Sequence, residues 1–353
     1  MTFQLPLLGE REKALETCGY CPKLCRAVCP VSSAVRRETL TPWGKMSVSW
    51  FAARGDVELS KDVASVTYAC TGCLRCKENC DHDNPVAETL AAGRADYFER
   101  GLAHPEAVRV AQGFDALDAE TERAAKELSD PDARTALVVG CGYLRHLPQE
   151  AQAALRATKA LVGPIRVVDH CCGLPLLHAG DRPGFLAARS RMAEALSGVR
   201  RVVAVDPGCA RVLSDHQPEL LVQVAVKALA RLGPAPSLAA EEHVRWHDPC
   251  HLGRGLGLYE APRTVLGRVL GRPPAEFSRH HAQAECSGAG GLLPATMPEA
   301  SAAIADARIA DHEALGGGVV VTACAGSLRR FRKNGARAVD LASVLAESLE
   351  NGA

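Results

Sequence analysis

Four thiols fall within eleven residues at Cys70-Thr-Gly-Cys73-Leu-Arg-Cys76-Lys-Glu-Asn-Cys80, spaced C-x2-C-x2-C-x3-C. This is the bacterial spacing for a [4Fe–4S] cubane, in which the fourth thiol of one run serves the other cluster of a two-cluster protein. Such a reading requires a second run, and the chain has one at Cys18-x2-Cys21-x3-Cys25-x3-Cys29-Pro30. Crossed ligation then assigns cluster one to Cys18, Cys21, Cys25 and Cys80, and cluster two to Cys70, Cys73, Cys76 and Cys29. Zinc takes its four ligands in two separated pairs, a pattern these two runs lack. Two features depart from the bacterial run: three residues rather than two separate Cys21 from Cys25, and Asp81 rather than proline follows Cys80.

A segment of about a hundred residues must position these thiols. Residues 1–100 are expected to form a helical, ferredoxin-type domain, with helices over Ser47–Ala53 and Val86–Arg100. Residues 101–134 read as a connector. Val110, Phe114 and Leu117 recur at helical spacing, so one amphipathic helix is expected over 105–128, opened by Pro105 and ended by Ser129-Asp130-Pro131.

From Thr135 the texture becomes that of alternating strands and helices. Strands are expected at Ala136–Val139, Ile165–Val168 and Arg201–Val205. Helices are expected at Glu150–Ala160, Pro183–Leu196 and Leu221–Leu232, with Gly233-Pro-Ala-Pro236 as a linker. The second half repeats the first. Val138-Val-Gly-Cys141 answers Trp246-His-Asp-Pro-Cys250. His170-Cys171-Cys172-Gly173 answers Glu285-Cys286-Ser287-Gly288. Asp206-Pro-Gly-Cys209 answers Cys324-Ala-Gly-Ser327. The expected fold class is therefore α+β and multidomain. The N-terminal helical domain is followed by two repeated, parallel-sheet, cysteine-rich domains, 135–236 and 237–353. Their thiols should gather at the carboxyl ends of the strands, where open α/β sheets bind ligands.

Bulk composition narrows the function classes. Lysine plus arginine and aspartate plus glutamate both number 41 among 353 residues, so charge gives no support to a nucleic-acid or membrane-surface role. The start lacks a signal-peptide pattern, and no apolar stretch reaches the length of a membrane span. Fifteen cysteines in a chain without an export signal point to metal or redox chemistry in the cytoplasm, not a disulfide framework. The chain carries no fingerprint for flavin, nicotinamide or haem, so a conducting pair of clusters must work with separate partners.

Two ferredoxin runs followed by two Cys…Cys-Cys-Gly…Cys repeats resemble the heterodisulfide-reductase-like iron–sulfur family, which includes iron–sulfur subunits of glycolate oxidase and related oxidases. The segments His247-Asp-Pro-Cys-His-Leu-Gly-Arg254 and Cys286-Ser-Gly-Ala-Gly-Gly291 look most like the heterodisulfide reductase D type. The resemblance implies five thiols in each complete repeat, able to hold a further iron–sulfur cluster. The first repeat keeps Cys141, Cys171, Cys172 and Cys209, with Asp206 in place of a thiol. The second keeps Cys250, Cys286 and Cys324, with Ser287 and Ser327 in place of thiols. The first set is thus a candidate for a third cluster or zinc, while the second is a depleted site. His170, His247 and His251 stand beside these thiols as ligands or as hydrogen-bond partners, and His280-His281 and the basic run Arg329–Lys333 read as solvated. By resemblance, the partners are a flavoprotein dehydrogenase acting on a 2-hydroxy acid or similar metabolite, and a quinone or membrane cytochrome as acceptor. The place of action would be the cytoplasm or the inner face of the membrane. Two alternatives remain: a disulfide reductase acting at Cys171–Cys172, and a zinc-stabilised docking scaffold.

Overall fold

A computed structural model describes residues 3–22, 24–128, 130, 132–239 and 241–352. Two compact units emerge. The first comprises Met1–Phe114, Pro175–Leu186 and Glu285–Arg308, and the second Asp115–Leu174, Ala187–Ala284 and Ile309–Ala353.

The first unit is helical. Its central helix, Pro42–Arg54, has proline at its start, Thr41 accepting from Gly44 N at 3.0 Å, and left-handed Gly55 at its end. These are the ordinary start and stop devices of a helix. It packs on the helices Glu12–Gly19, Lys61–Tyr68 and Val86–Glu99. Leu5, Leu8, Leu15, Met46, Ala53, Ala64 and Leu90 form the core between them. The expected helices over 47–53 and 86–100 are therefore present, the first reaching back to Pro42.

The late segments of this unit are fastened by Arg94, which is 3% exposed. Its guanidinium donates to Thr67 O, Cys70 O, His178 O and Gly291 O at 2.8–3.2 Å. Tyr68 Oη adds a bond to Ala179 O at 2.8 Å.

The second unit holds two parallel sheets. In the first the order is β2-β1-β3-β4, with β1 Thr135–Val138, β2 Arg166–Val167, β3 Arg201–Ala204 and β4 Glu219–Leu220. Leu137 pairs with Val203 and with Val167. In the second, β5 (Val244–Trp246), β6 (Val319–Thr322) and β7 (Ala338–Asp340) lie in that order. A parallel bridge from Arg245 to Ala275 stands where the first sheet has β2. Both sheets thus share one topology, and the expected duplication is structural. The short Val-rich strands are buried, as parallel strands covered on both faces must be. Helix Pro148–Val162 of the first repeat packs on Leu341–Glu350 of the second, and Leu221–Lys227 packs on Glu260–Leu270. This reciprocal pairing makes one continuous core.

Several expected elements differ in extent. The single helix over 105–128 is two, Pro105–Gln112 and Phe114–Lys126, parted at Gly113. Glycine is a poor helix-interior residue, and here it closes the first helix with its N–H on Arg109 O and Ala111 O. Ser129 and Pro131, expected to end that segment, lie outside the described residues. Helix Leu221–Lys227 stops short of Leu232 and tightens into a 3-10 turn over Leu229–Arg231. The Gly233–Pro236 stretch is pinned rather than loose. Gly233 N donates to Ser348 O at 3.0 Å, and Ser348 Oγ donates back to Gly233 O at 2.6 Å. No helix among the described residues is long and apolar enough to cross a membrane.

Candidate functional site

All fifteen cysteines are free thiols. In the first unit, helix Glu12–Gly19 carries Cys18 in its last turn, a 3-10 turn over Leu24–Val28 carries Cys25, and Cys80 follows the short helix Arg75–Glu78. Cys18, Cys21, Cys25 and Cys80 line one cavity of about 90 Å³, with Cys76 at its wall. Asn84 Nδ2 donates to Cys18 Sγ at 3.0 Å. Burial, and next the neighbouring Cys25, push the Cys18 thiol up to about 12, against the Asn84 hydrogen bond.

A second, smaller cavity is lined by Cys29, Cys70, Cys73 and Cys76 together with Lys45. Its loop folds tightly because Gly72 (φ 68°) and Leu74 (φ 62°) are both left-handed. Gly72 N donates to Cys70 Sγ at 3.4 Å. Cys29 precedes helix Pro30–Val35 and sends its thiol to this cavity, away from the rest of its own run. Burial raises the Cys76 thiol well above its ordinary value, reinforced by Cys70, Cys73 and Cys29 and opposed by Lys45.

Thiols with protons held this tightly do not ionise at neutral pH by themselves. A bound cation must displace those protons, which is how thiolate metal sites couple to pH. Two adjoining tetrads of soft sulfur fit the donor chemistry of iron–sulfur clusters. The glycine-rich segment 288–291 serves the same region. A Cβ on Gly290 would stand 2.3 Å from Thr71 O, and one on Gly291 2.1 Å from Cys70 O. These glycines permit close backbone approach beside the thiol loop. Cys286 and Ser287 also belong to this unit, and Cys286 Sγ accepts from Gly288 N at 3.3 Å.

In the second unit, loops at the carboxyl ends of β1, β2 and β3 bring four thiols together. Cys171 Sγ lies 3.3 Å from Cys141 Sγ, and Cys172 Sγ 3.4 Å from Cys209 Sγ. Asp118 holds the double-cysteine loop by accepting from Cys171 N at 2.7 Å and facing His170 Nδ1 at 3.2 Å. Hydrogen bonding with Cys171 and Cys209 lowers the Cys172 thiol well below its ordinary value.

Asp206 caps helix Pro207–Val212, accepting from Gly208 N at 2.8 Å and Cys209 N at 3.4 Å. It also takes the N–H of Ala325, which opens helix Ala325–Lys333 of the second repeat, and burial raises its carboxyl to about 6. One carboxylate thus caps equivalent helices of both repeats. Cys324 is half-buried beside it, its thiol pushed up to about 12 by desolvation and then by Asp206, with Cys250 also contributing. Ser327 hydrogen-bonds Cys324.

The histidines divide. His247 is a core residue, 1% exposed, with Phe331 and Phe277 set edge-on to its ring at 4.8 and 6.1 Å. His170 is oriented by Asp118. His280 is exposed and His281 partly so, as expected, and both make contacts. Their Nδ1 atoms lie 2.6 Å apart and His281 Nε2 faces Glu260 at 2.9 Å. The basic run Arg329–Lys333 differs from a solvated face, since Arg330 and Phe331 are buried and Arg332 bonds Glu150 at 2.7 Å and Ala338 O at 3.0 Å. Sequence reasoning missed Lys45, Asn84, Arg94 and Asp118. The one available signal was Lys45 itself, a lone charge in the apolar setting Trp43-Gly-Lys-Met46.

A 4Fe-4S dicluster domain model matches residues 14–84, and a cysteine-rich domain model matches 135–214 and again 244–330. Among curated proteins, the chain is 27% identical over 334 residues to the B subunit of the fumarate reductase (CoM/CoB) of Methanothermobacter marburgensis. That alignment covers 88% of this chain and 66% of the relative. It is 31% identical over 172 residues to the D subunit of the dihydromethanophenazine:CoB–CoM heterodisulfide reductase of Methanosarcina barkeri, covering 44% of this chain and 42% of the relative. The chain therefore spans less than two thirds of the length of these relatives. Matched domains of these two kinds imply iron–sulfur clusters. The chain thus carries a 4Fe-4S dicluster domain and two cysteine-rich domains, and it is similar to the D subunits of heterodisulfide reductases.

Proposed function

We propose that this chain is an electron-transfer subunit of an oxidoreductase complex, with one [4Fe–4S] cluster in each N-terminal thiol tetrad. The supporting observation is the partition of eight thiols into two cavities that adjoin at Cys76, each drawing its fourth thiol from the other run. When bound, such clusters exchange single electrons at potentials set by their surroundings. The chain's own residues hold the thiols, exclude water and bring fixed charge to the second tetrad through Lys45. The donor in this reading is a flavoprotein dehydrogenase oxidising a 2-hydroxy acid or similar metabolite. The acceptor is a quinone or membrane cytochrome reached from the cytoplasmic side.

Anaerobically purified protein should contain about eight irons as two cubanes, with a visible band bleached by dithionite. Cys29→Ser and Cys80→Ser should each damage one cluster and spare the other, with Cys80→Ser leaving the signal of the second tetrad. Protein holding zinc alone, or a Cys29→Ser variant that damages the same cluster as Cys18→Ser, would refute this reading.

The second unit supports a further role. Its four thiols within 3.3–3.4 Å contact in pairs are a candidate third cluster or zinc site. A cavity of about 650 Å³, lined by Arg166, Asp169, His170 and Arg191, lies one residue along the chain from Cys171. In this reading a cluster or thiol pair at Cys171–Cys172 reduces a disulfide substrate, two electrons supplied singly through the N-terminal clusters breaking its S–S bond to two thiolates. The matching assay follows disulfide reduction by a reduced viologen in the whole protein and in Cys172→Ala. Equal rates in both would remove this role, and the iron-to-zinc ratio distinguishes a redox centre from a scaffold.

A further inference from the structure

We propose that Lys45 makes the second cluster the electron-holding member of the pair. This inference rests on the two-cluster reading above and concerns only how the two tetrads differ.

Lys45 lies in the central helix of the first unit, is 1% exposed, and donates from Nζ to Cys29 Sγ at 3.3 Å. It lines the same cavity as Cys29, Cys70, Cys73 and Cys76. Burial of an ammonium is costly unless opposite charge compensates it. Arg94 brings a second buried cation to this tetrad, with its guanidinium on Cys70 O at 2.8 Å. The first tetrad is furnished differently. There the donor to Cys18 Sγ is the neutral amide of Asn84 at 3.0 Å, and Asp81 is among the residues lining the cavity.

The consequence follows from charge. Each cluster gains one electron on reduction, supplied in a titration by dithionite, and so becomes more negative by one unit. A fixed positive charge touching a ligand sulfur stabilises the reduced form more than the oxidised one and raises the potential, one of the ways a protein tunes such a centre. With clusters bound, Lys45 would set the higher potential at the second tetrad, and an electron shared between the two would reside there. Lys45 acts through Cys29 and is a positioning residue for charge, not a ligand.

The test is a potentiometric titration of the anaerobic, cluster-loaded full chain followed by EPR, with the second cluster's signal assigned from the Cys80→Ser protein. Lys45→Met and Lys45→Gln should lower the second cluster's potential while leaving the first in place. The expected change is at least a tenfold loss in its share of the first electron, about 59 mV for a one-electron couple. Lys45→Arg, which keeps the charge, should retain the wild-type value. An unmoved second potential in both neutral variants overturns the inference, as does an equal shift in both clusters. Loss of the second cluster from Lys45→Gln, which keeps an N–H donor, also overturns it by making Lys45 a structural tether. Wild-type protein without two clusters defeats the two-cluster reading together with this one, whereas two clusters with an unmoved potential defeats this one alone.

Discussion

Replacing Gly291 by alanine isolates the contact that seats the 285–308 segment on the second thiol loop. Gly291 has φ +63°, and an added Cβ would stand 2.1 Å from Cys70 O and 2.9 Å from Thr71 Cα. These are backbone atoms of the thiol loop, so no side-chain rotation relieves the clash. A non-glycine residue in the left-handed region costs about 1–2 kcal/mol, and forcing an extra carbon into close-packed structure about 1–3 kcal/mol. Together these give about 2–5 kcal/mol. The displacement falls on Cys70 O, which is also where Arg94 donates at 2.8 Å. Gly101→Ala is the control. Gly101 has φ +69° in the same unit, but nothing lies within 4 Å of its would-be Cβ, so only the backbone cost of about 1 kcal/mol applies. A unit of roughly 150 residues shifts by about 2–4 °C per kcal/mol. Thermal melts of the anaerobic, loaded protein should therefore fall by about 10 °C for Gly291→Ala and about 3 °C for Gly101→Ala. Loss of the cluster absorbance should precede loss of helical signal only in the former. Equal shifts in the two variants would show that the close approach to Cys70 carries no energetic weight.

Two further predictions concern the second unit. Tyr143 Oη donates to Asp340 Oδ2 at 2.6 Å in a buried pair, and burial raises the Asp340 carboxyl to about 7 against that hydrogen bond. Because this folded-state value exceeds the unfolded 3.8, the folded state binds the proton more tightly. The contribution of Asp340 to stability is then greatest at low pH and is lost as pH rises from about 4 to about 7. Asp340→Asn should flatten the melting midpoint across pH 5–8 relative to wild type, and identical pH slopes in the two proteins would contradict the assignment. Arg263 grips Asp248 through two 2.8 Å bonds and also holds Glu276. Arg263→Gln leaves a carboxylate that is 2% exposed with the Trp246 and His281 N–H donors, at a cost of about 3–5 kcal/mol. Burial works to raise the Asp248 carboxyl, yet Arg263 outweighs it and holds the group below its ordinary value. The stability this supplies is present above pH 3.8 and fades as pH falls through the lowered value, so the deficit of Arg263→Gln should shrink only as pH falls below 3.8. A deficit under about 1 kcal/mol at pH 7 in denaturant melts would contradict a buried ion pair.

What was legible in the sequence is what short-range spacing encodes. Thiols at fixed offsets announced both N-terminal runs, and Val-rich stretches ending in cysteine announced the repeated strands. Arg94 was not legible. Its four acceptors at Thr67, Cys70, His178 and Gly291 lie 24 to 197 residues away, and no local window contains that coincidence. Gly113 misled for a related reason, because a glycine inside a helical apolar pattern can be tolerated or can end the helix, and only packing decides.

The cysteine-rich repeats show most plainly where spacing stops informing. Read along the chain, Asp206 and Ser327 are two independent losses of a thiol from a Cys-x2-Cys pair. The losses are complementary. The first repeat keeps the second thiol of its pair, Cys209, and the second repeat keeps the first, Cys324. Asp206 occupies the position equivalent to Cys324, and the fold places those two positions close enough for the carboxylate to perturb the thiol. Asp206 accepts from Cys209 N in its own repeat and from Ala325 N in the other, while Ser327 hydrogen-bonds Cys324. Each replaced thiol has become a hydrogen-bonding group that steadies the remaining one. What the sequence presents as erosion of two sites is, in the folded unit, a single arrangement shared between the repeats, with its thiols concentrated on Cys141, Cys171, Cys172 and Cys209.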